Sequence, residues 1–309
     1  MKLSSLLEKL EYTCVQGSTE QEVTGVVYDS RKVTDGSLFI CIRGAVVDGH
    51  KFIPDVTAKG AKVLIVEEEV SAPSDVTVIQ VTDTRYAMAF ISAAWFGHPA
   101  EKLKTIGITG TKGKTTTTYM VKSILENAGY KVGLIGTIEA IIGNKIIPAS
   151  NTTPESYVVQ EYFHEMVEAG CDCVVMEVSS QGLMLHRTQG FVFDFGIFTN
   201  IEPDHIGPNE HKDFDHYLSC KAMLLKQCRV GIVSRCCKAL VLPPVRDKQG
   251  QWTCKQATSH PTIRTPVHPS APITGTKHPR STLSPEHPAF KRIICCCHTG
   301  MRLSVRSAA

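Results

Sequence analysis

The densest chemical signal in this 309-residue chain is the run Gly110-Thr111-Lys112-Gly113-Lys114-Thr115-Thr116. Glycines at 110 and 113 let the backbone turn its N–H groups inward around an anion, and a helix that begins at the end of the loop adds its dipole. Lys114 is suited to neutralise β- and γ-phosphates, and the Thr115 hydroxyl to meet Mg²⁺. The strict phosphate-loop pattern has a glycine at position 108, where this chain has Ile108, so the match is to the shorter Gly-x-x-Gly-Lys-Thr form.

Further along, Glu177 closes an apolar run, where a strand-end carboxylate faces the crevice in which α/β sheets bind ligands. It is a candidate Mg²⁺ ligand, since Mg²⁺ takes carboxylate and phosphate oxygens. Asp204-His205 follows another strand end at Thr199-Asn200, and His205 could ligate a metal or orient water. Taken alone, a loop histidine is ordinary, and Lys221, in a helix expected over 217–227, reads as a solvated charge.

These residues need elements to hold them. The spacing predicts a strand over 104–109, the loop, and a helix over 115–128 with Gly129 as its C-terminal cap. Strands follow from 132, at 173–178, at 193–199 and at 229–233, with a helix over 157–169. Strands apolar along their whole length, alternating with helices, imply a parallel sheet covered on both faces. Before residue 100 the chain alternates shorter elements: strands at 23–28, 37–42, 62–67 and 76–81, helices at 52–59 and 84–96, and a short amphipathic N-terminal helix built on Leu3, Leu6, Leu7 and Leu10. Gly97-His98-Pro99 marks a boundary. The expected fold is α/β: a domain over 1–100, an incomplete phosphate-loop domain over 101–233, and an atypical tail over 234–309.

Gly107-Ile-Thr-Gly-Thr-Lys-Gly-Lys-Thr-Thr-Thr-Thr118 is very similar to the ATP-binding loop of the Mur ligases and the related folylpolyglutamate ligases. Within that group, Asn151-Thr152-Thr153-Pro154 and Met176-Glu177-Val178-Ser179-Ser180-Gln181-Gly182-Leu183, followed by His186-Arg187, resemble the branch that forms the UDP-MurNAc-tripeptide. Asp29-Ser30-Arg31, Gly36-Ser37-Leu38-Phe39 and Asp48-Gly49-His50 resemble a uridine-nucleotide-binding domain. The resemblance spans 1 to about 233. It implies an ATP- and Mg²⁺-dependent ligase of peptidoglycan biosynthesis, a cytoplasmic monomer that joins an amino acid to UDP-MurNAc-L-Ala-D-Glu. It implies ATP contacts from Gly110 to Thr116 and catalytic roles for Lys114, His205 and Lys221, the last as a carbamate. Thr115, Glu177 and His205 become metal ligands. Ser30, Asn151, Thr152, Thr153, Ser179 and Arg187 become substrate contacts, Ser30 near the uracil. An arginine fork and a hydroxyl suit a carboxylate. Two other readings stand beside it: a non-catalytic nucleotide-binding remnant, and a folylpolyglutamate-type ligase.

Charge divides at the same place as pattern. The chain has 33 Lys/Arg and 30 Asp/Glu; residues 234–309 hold 12 and 2 of them, so 1–233 hold 21 and 28. An acidic body argues against a nucleic-acid partner. No run approaches the length of a membrane span, and the cysteines before 234 show no disulfide framework. After 234 periodicity stops, and 9 of the 16 prolines fall there, as do Cys295-Cys296-Cys297. That composition predicts disorder, and its abrupt onset is what a frameshift would produce. Three adjacent cysteines do not converge readily on one tetrahedral ion.

Overall fold

A computed structural model describes residues 1–44, 47–208, 210–234 and 237, together with the backbone of two short strands, Val245–Arg246 and Trp252–Thr253, which pair antiparallel. The remainder of 234–309, on which the expectations of disorder and a frameshift fall, lies outside the described residues.

The first sheet has five strands: β1 (Thr13–Gln16), β2 (Gly25–Val27), β3 (Ser37–Ile40), β4 (Val63–Val66) and β5 (Thr77–Gln80). Their order is β1-β5-β4-β3-β2; β2 to β5 run parallel and β1 runs antiparallel to β5. The continuous apolar runs are explained by burial on both faces. Leu38, Ile40, Val63, Ile65 and Ile79 pack with Leu3, Leu6 and Leu7 of α1 (Leu3–Leu7) and Met88 and Ile91 of α3 (Thr84–Trp95). The alternate residues Phe39, Cys41, Leu64, Val66 and Val78 pack under Ile53 and Val56 of α2 (Ile53–Ala58). One strand was not expected: β1 is almost wholly exposed and carries no apolar period.

The second sheet has seven strands: β6 (Lys104–Thr109), β7 (Val132–Ile135), β8 (Glu139–Ile142), β9 (Lys145–Pro148), β10 (Cys173–Glu177), β11 (Phe193–Phe198) and β12 (Cys228–Val233), in the order β12-β11-β6-β10-β7-β8-β9. The five strands from β12 to β7 are parallel, as expected. Two strands not expected from the sequence extend this parallel-rich sheet: β8 and β9 form an antiparallel hairpin on the edge. Gly143-Asn144 between two apolar pairs was a readable turn signal for it. One face packs Ile106, Ile108, Val175 and Ile197 against Val121 and Leu125 of α4 (Lys114–Asn127). The other packs Val174, Met176 and Phe193 against Val159, Phe163 and Met166 of α5 (Ser156–Glu168) and Leu224 of α7 (Phe214–Lys226). Between these lies a one-turn helix, α6 (Ser180–Met184).

The two sheets are joined by a packed seam. Tyr28 meets Tyr157 at 5.8 Å between ring centroids, and Glu155 bridges Arg85 of α3 and Arg187, each at 2.8 Å. Among the described residues no helix is long and apolar enough to cross a membrane.

Candidate active site

Gly110 through Lys114 leave the carboxyl end of β6, the middle one of the five parallel strands, and lead straight into α4, as the residue types required. Gly110 adopts φ of +155° and lies so close to β11's end that an added Cβ would stand 2.0 Å from Thr199 Oγ1. Gly113, at φ of +74°, has open space around it. One glycine therefore seats the loop and the other leaves its mouth clear, with the unpaired N–H groups of the α4 N-terminus behind it.

The loop is held from the side by Asn200. Its Oδ1 accepts from the N–H groups of Thr111 and Lys112, at 3.0 and 2.9 Å, and its Nδ2 donates to Lys112 O at 2.8 Å. Thr111 Oγ1 donates to Glu202 O and accepts from Glu202 N and from Tyr217 Oη at 3.1 Å. Lys112 Nζ pairs with Glu202 at 2.7 Å on the exposed side. Thr116 faces outward on α4.

Lys114 Nζ donates to the carbonyls of Gly110 and Thr111, both at 3.1 Å. Lys221, 1% exposed, reaches the same Gly110 O from α7 at 2.8 Å and lies 4.8 Å from the centre of the Tyr217 ring. Burial depresses the proton affinity of both amines. For Lys221, burial and then the Lys114 charge bring the pKa to about 7, against an ordinary 10.5. Between those two values the unfolded chain binds one proton more at this residue than the folded chain, so stability rises with pH across the window. Below about 7 both states hold the proton and the cost of burying the cation is fully felt. Urea unfolding measured from pH 7 to 10.5 is expected to show this rise. Lys221→Met is expected to flatten it, and an unchanged slope in the variant would assign the rise to another group.

Glu177, fully buried at the end of β10, aims its carboxylate at the loop. Oε2 accepts from Thr115 Oγ1 at 3.0 Å and Thr137 Oγ1 at 3.1 Å; Oε1 accepts from Thr137 N at 3.0 Å. Gly136 is glycine for a steric reason, since a Cβ there would stand 2.5 Å from Glu177 Oε1. A carboxylate and two hydroxyls at this spacing are hard oxygen donors of the kind Mg²⁺ takes. His205 lies at the rim, its side chain 48% exposed, with φ of +54°. Its Nδ1 is 3.0 Å from Glu210 Oε1, and its ring centre is 6.0 Å from that of Tyr217.

The remaining predicted residues fall into two groups. Thr152, Thr153, Ser179 and Arg187 surround Glu177. Thr152 Oγ1 lies 3.1 Å from Thr137 Oγ1, Thr153 Oγ1 donates to Glu177 O, and Arg187 donates to Thr153 O at 3.1 Å and to Glu155. The Ser179 hydroxyl caps α6 by accepting from Gly182 N at 2.9 Å. Asn151 borders a cavity of about 110 Å³ shared with Tyr28 and Glu155. Ser30 stands apart on the first sheet, in a one-turn 3-10 helix capped by Asp29, with its carbonyl accepting from Lys59 Nζ at 3.1 Å. Thr137, Tyr217 and Glu155 were missed because no local pattern distinguishes them, and Asn200 was read only as a strand end. Each is joined to the site by contacts distant in sequence.

Fold and site together define an α/β protein with a phosphate-loop-type strand–loop–helix at the centre of a parallel-rich sheet. The Mur ligase middle domain matches residues 108–240, and the catalytic domain of the Mur ligase family matches 22–96. UDP-N-acetylmuramoyl-L-alanyl-D-glutamate–2,6-diaminopimelate ligases are similar along the same stretch. That of Clostridium perfringens is 50% identical over 234 residues, and that of Clostridium tetani 46% over 237, each covering 76% of this chain and 48% of the relative. A solved ligase of that name superposes with a TM-score of 0.62 at 21% identity, over 76% of this chain and 47% of the other. The D-alanyl-D-alanyl-adding ligase of Acinetobacter baumannii gives 0.52 at 23%, over 76% and 48%. These two share the fold. The chain belongs to the Mur ligase family. It spans about half the length of the curated relatives it matches.

Proposed function

We propose that this protein serves an ATP-dependent amide ligase reaction in which an amino acid is joined to UDP-MurNAc-L-Ala-D-Glu during peptidoglycan synthesis. The observation that supports it most is the convergence of Lys114, Lys221, Thr115 and Glu177 on one loop at the carboxyl ends of parallel strands, with Thr152, Thr153 and Arg187 beside it. In this reading a free carboxylate of the dipeptide attacks the γ-phosphate of ATP, ADP leaves, and an acyl phosphate forms. The amine of the incoming amino acid then attacks the acyl carbon, phosphate departs, and the amine loses a proton.

The chain's own residues contribute position and charge. Lys114, which donates to loop carbonyls in this structure, turns to the β- and γ-phosphates, and the N–H groups at the start of α4 receive phosphate oxygens. Thr115 and Glu177, with His205 at the rim, would hold Mg²⁺, which supplies neutralisation of phosphate charge. With a pKa of about 7, a substantial share of Lys221 is neutral near pH 7, the state in which an amine adds CO₂ to become the carbamate that the resemblance implies. Arg187 exchanges Glu155 for a substrate carboxylate, Asn151 to Thr153 line its path, and Ser30 contacts the uridine end on the first sheet.

Calorimetric titration of the 309-residue chain is the test. UDP-MurNAc-L-Ala-D-Glu is expected to bind and a folate not to. Arg187→Ala is expected to weaken binding by about 10–100-fold, the worth of a charge-assisted hydrogen bond. Folate binding without nucleotide-sugar binding would overturn the assignment.

A further inference from the structure

The loop that leads into α7 and the first turns of that helix carry three ligands that the reaction above does not use. His216 and Cys220 are four residues apart, a spacing that brings both side chains to one face of α7. His211 folds back over them from the loop; its ring centre is 5.0 Å from that of His216. One ligand atom from each of His211, His216 and Cys220 lies within 4.8 Å of the others. His211 and Cys220 are buried and His216 half-buried.

The two nitrogens of His211 are in different situations. Nε2 is 2.9 Å from Ser180 Oγ, while Nδ1 is buried with no hydrogen-bond partner. A buried polar atom without a partner is costly and calls for an explanation. A ring that gives its Nε2 hydrogen to a hydroxyl presents a bare lone pair at Nδ1, and that arrangement is how metal-bound histidines are oriented from behind.

We propose that His211, His216 and Cys220 form a binding site for a borderline-soft divalent cation of the zinc type, with water in the fourth position. Two imidazoles and a thiolate suit Zn²⁺ and suit Mg²⁺ poorly, so the site is chemically distinct from the oxygen-lined pair at Thr115 and Glu177. Binding converts the Cys220 thiol to a metal-bound thiolate and releases its proton to solvent. The His211 ring centre is also 5.2 Å from that of Tyr217, whose hydroxyl donates to Thr111. An ion here therefore pins the start of the helix that carries Tyr217 and Lys221 to the phosphate loop.

The test uses the full chain with a phosphine reductant, following thermal unfolding with and without Zn²⁺ or Mg²⁺. Cysteines and histidines beyond residue 234 are further potential zinc ligands, so stabilisation of the folded body is the readout and total zinc uptake is not. Zn²⁺ is expected to raise the Tm and Mg²⁺ not to. His216→Ala, at a half-buried position, and Cys220→Ser are each expected to abolish the zinc-dependent rise. Ser180→Ala is expected to retain it with an affinity lower by roughly 10–100-fold, as for loss of an outer partner of a ligand. With Co²⁺ in place of Zn²⁺, the thiolate-to-metal absorption is expected to fall in Cys220→Ser. No zinc-dependent rise in the unaltered chain, or an equal rise in both ligand variants, would overturn the proposal.

Discussion

Lys114→Ala is expected to abolish measurable ATP binding by the 309-residue chain while leaving its fold intact. The same change in a full-length relative carrying this loop is expected to lower ATP-dependent amide formation by about 10²–10³-fold, the loss that follows removal of a preorganised charge donor. The fold should survive because the ammonium spends its hydrogen bonds on two backbone carbonyls, Gly110 O and Thr111 O. Gly110 O keeps Lys221 as a partner when Lys114 is gone. Removing Lys114 also removes a positive neighbour that depresses the proton affinity of Lys221, so the Lys221 pKa should rise toward its ordinary value. Calorimetry with ATP and Mg²⁺, with circular dichroism as the control for folding, separates the outcomes. Unchanged ATP binding or unchanged turnover would remove Lys114 from its assigned role.

Glu177→Ala is expected to act on both stability and nucleotide binding. Three donors converge on this fully buried carboxylate, from Thr115, from the Thr137 hydroxyl and from the Thr137 backbone. Deleting it strands the Thr137 N–H and frees two hydroxyls beside the loop, a loss of about 2–3 kcal/mol. Binding of ATP should also lose its dependence on Mg²⁺. Glu177→Gln retains the shape and one acceptor oxygen, so it should recover much of the stability and little of the Mg²⁺ dependence. Chemical denaturation of both variants, paired with ATP titrations at varied Mg²⁺, makes the comparison. If Gln restores the Mg²⁺ effect, the carboxylate is a structural anchor for Thr115 and Thr137 and not a metal ligand.

Much of this was legible before any coordinates. The phosphate loop is a local object: strand, glycine turn, lysine and helix start all lie between Lys104 and Asn127, and local sequence suffices to specify it. The central parallel strands were legible because burial on both faces forces unbroken apolar runs. Where burial is one-sided or absent, the signal fades. β1 is exposed, and in the β8–β9 hairpin on the sheet edge β8 buries only alternate residues while β9 is mostly exposed.

What the sequence determined by itself, then, was the list of chemical groups and the short elements that carry them: Gly110 to Thr116, Glu177 at a strand end, Lys221 on a helix. Tertiary structure decided which groups meet. Lys221 reads locally as a solvated charge, and becomes an amine with a pKa of about 7 because α7 buries it beneath the phosphate loop beside the Lys114 charge, where its Nζ donates to a carbonyl 111 residues away. Asn200 and Tyr217 bind the phosphate loop across separations of 88 and 106 residues, and Thr137 reaches Glu177 across 40. Hydropathy period records which face of an element is buried. It carries no record of the neighbour that face will meet, because that is set by strand order, and strand order follows from packing the whole chain.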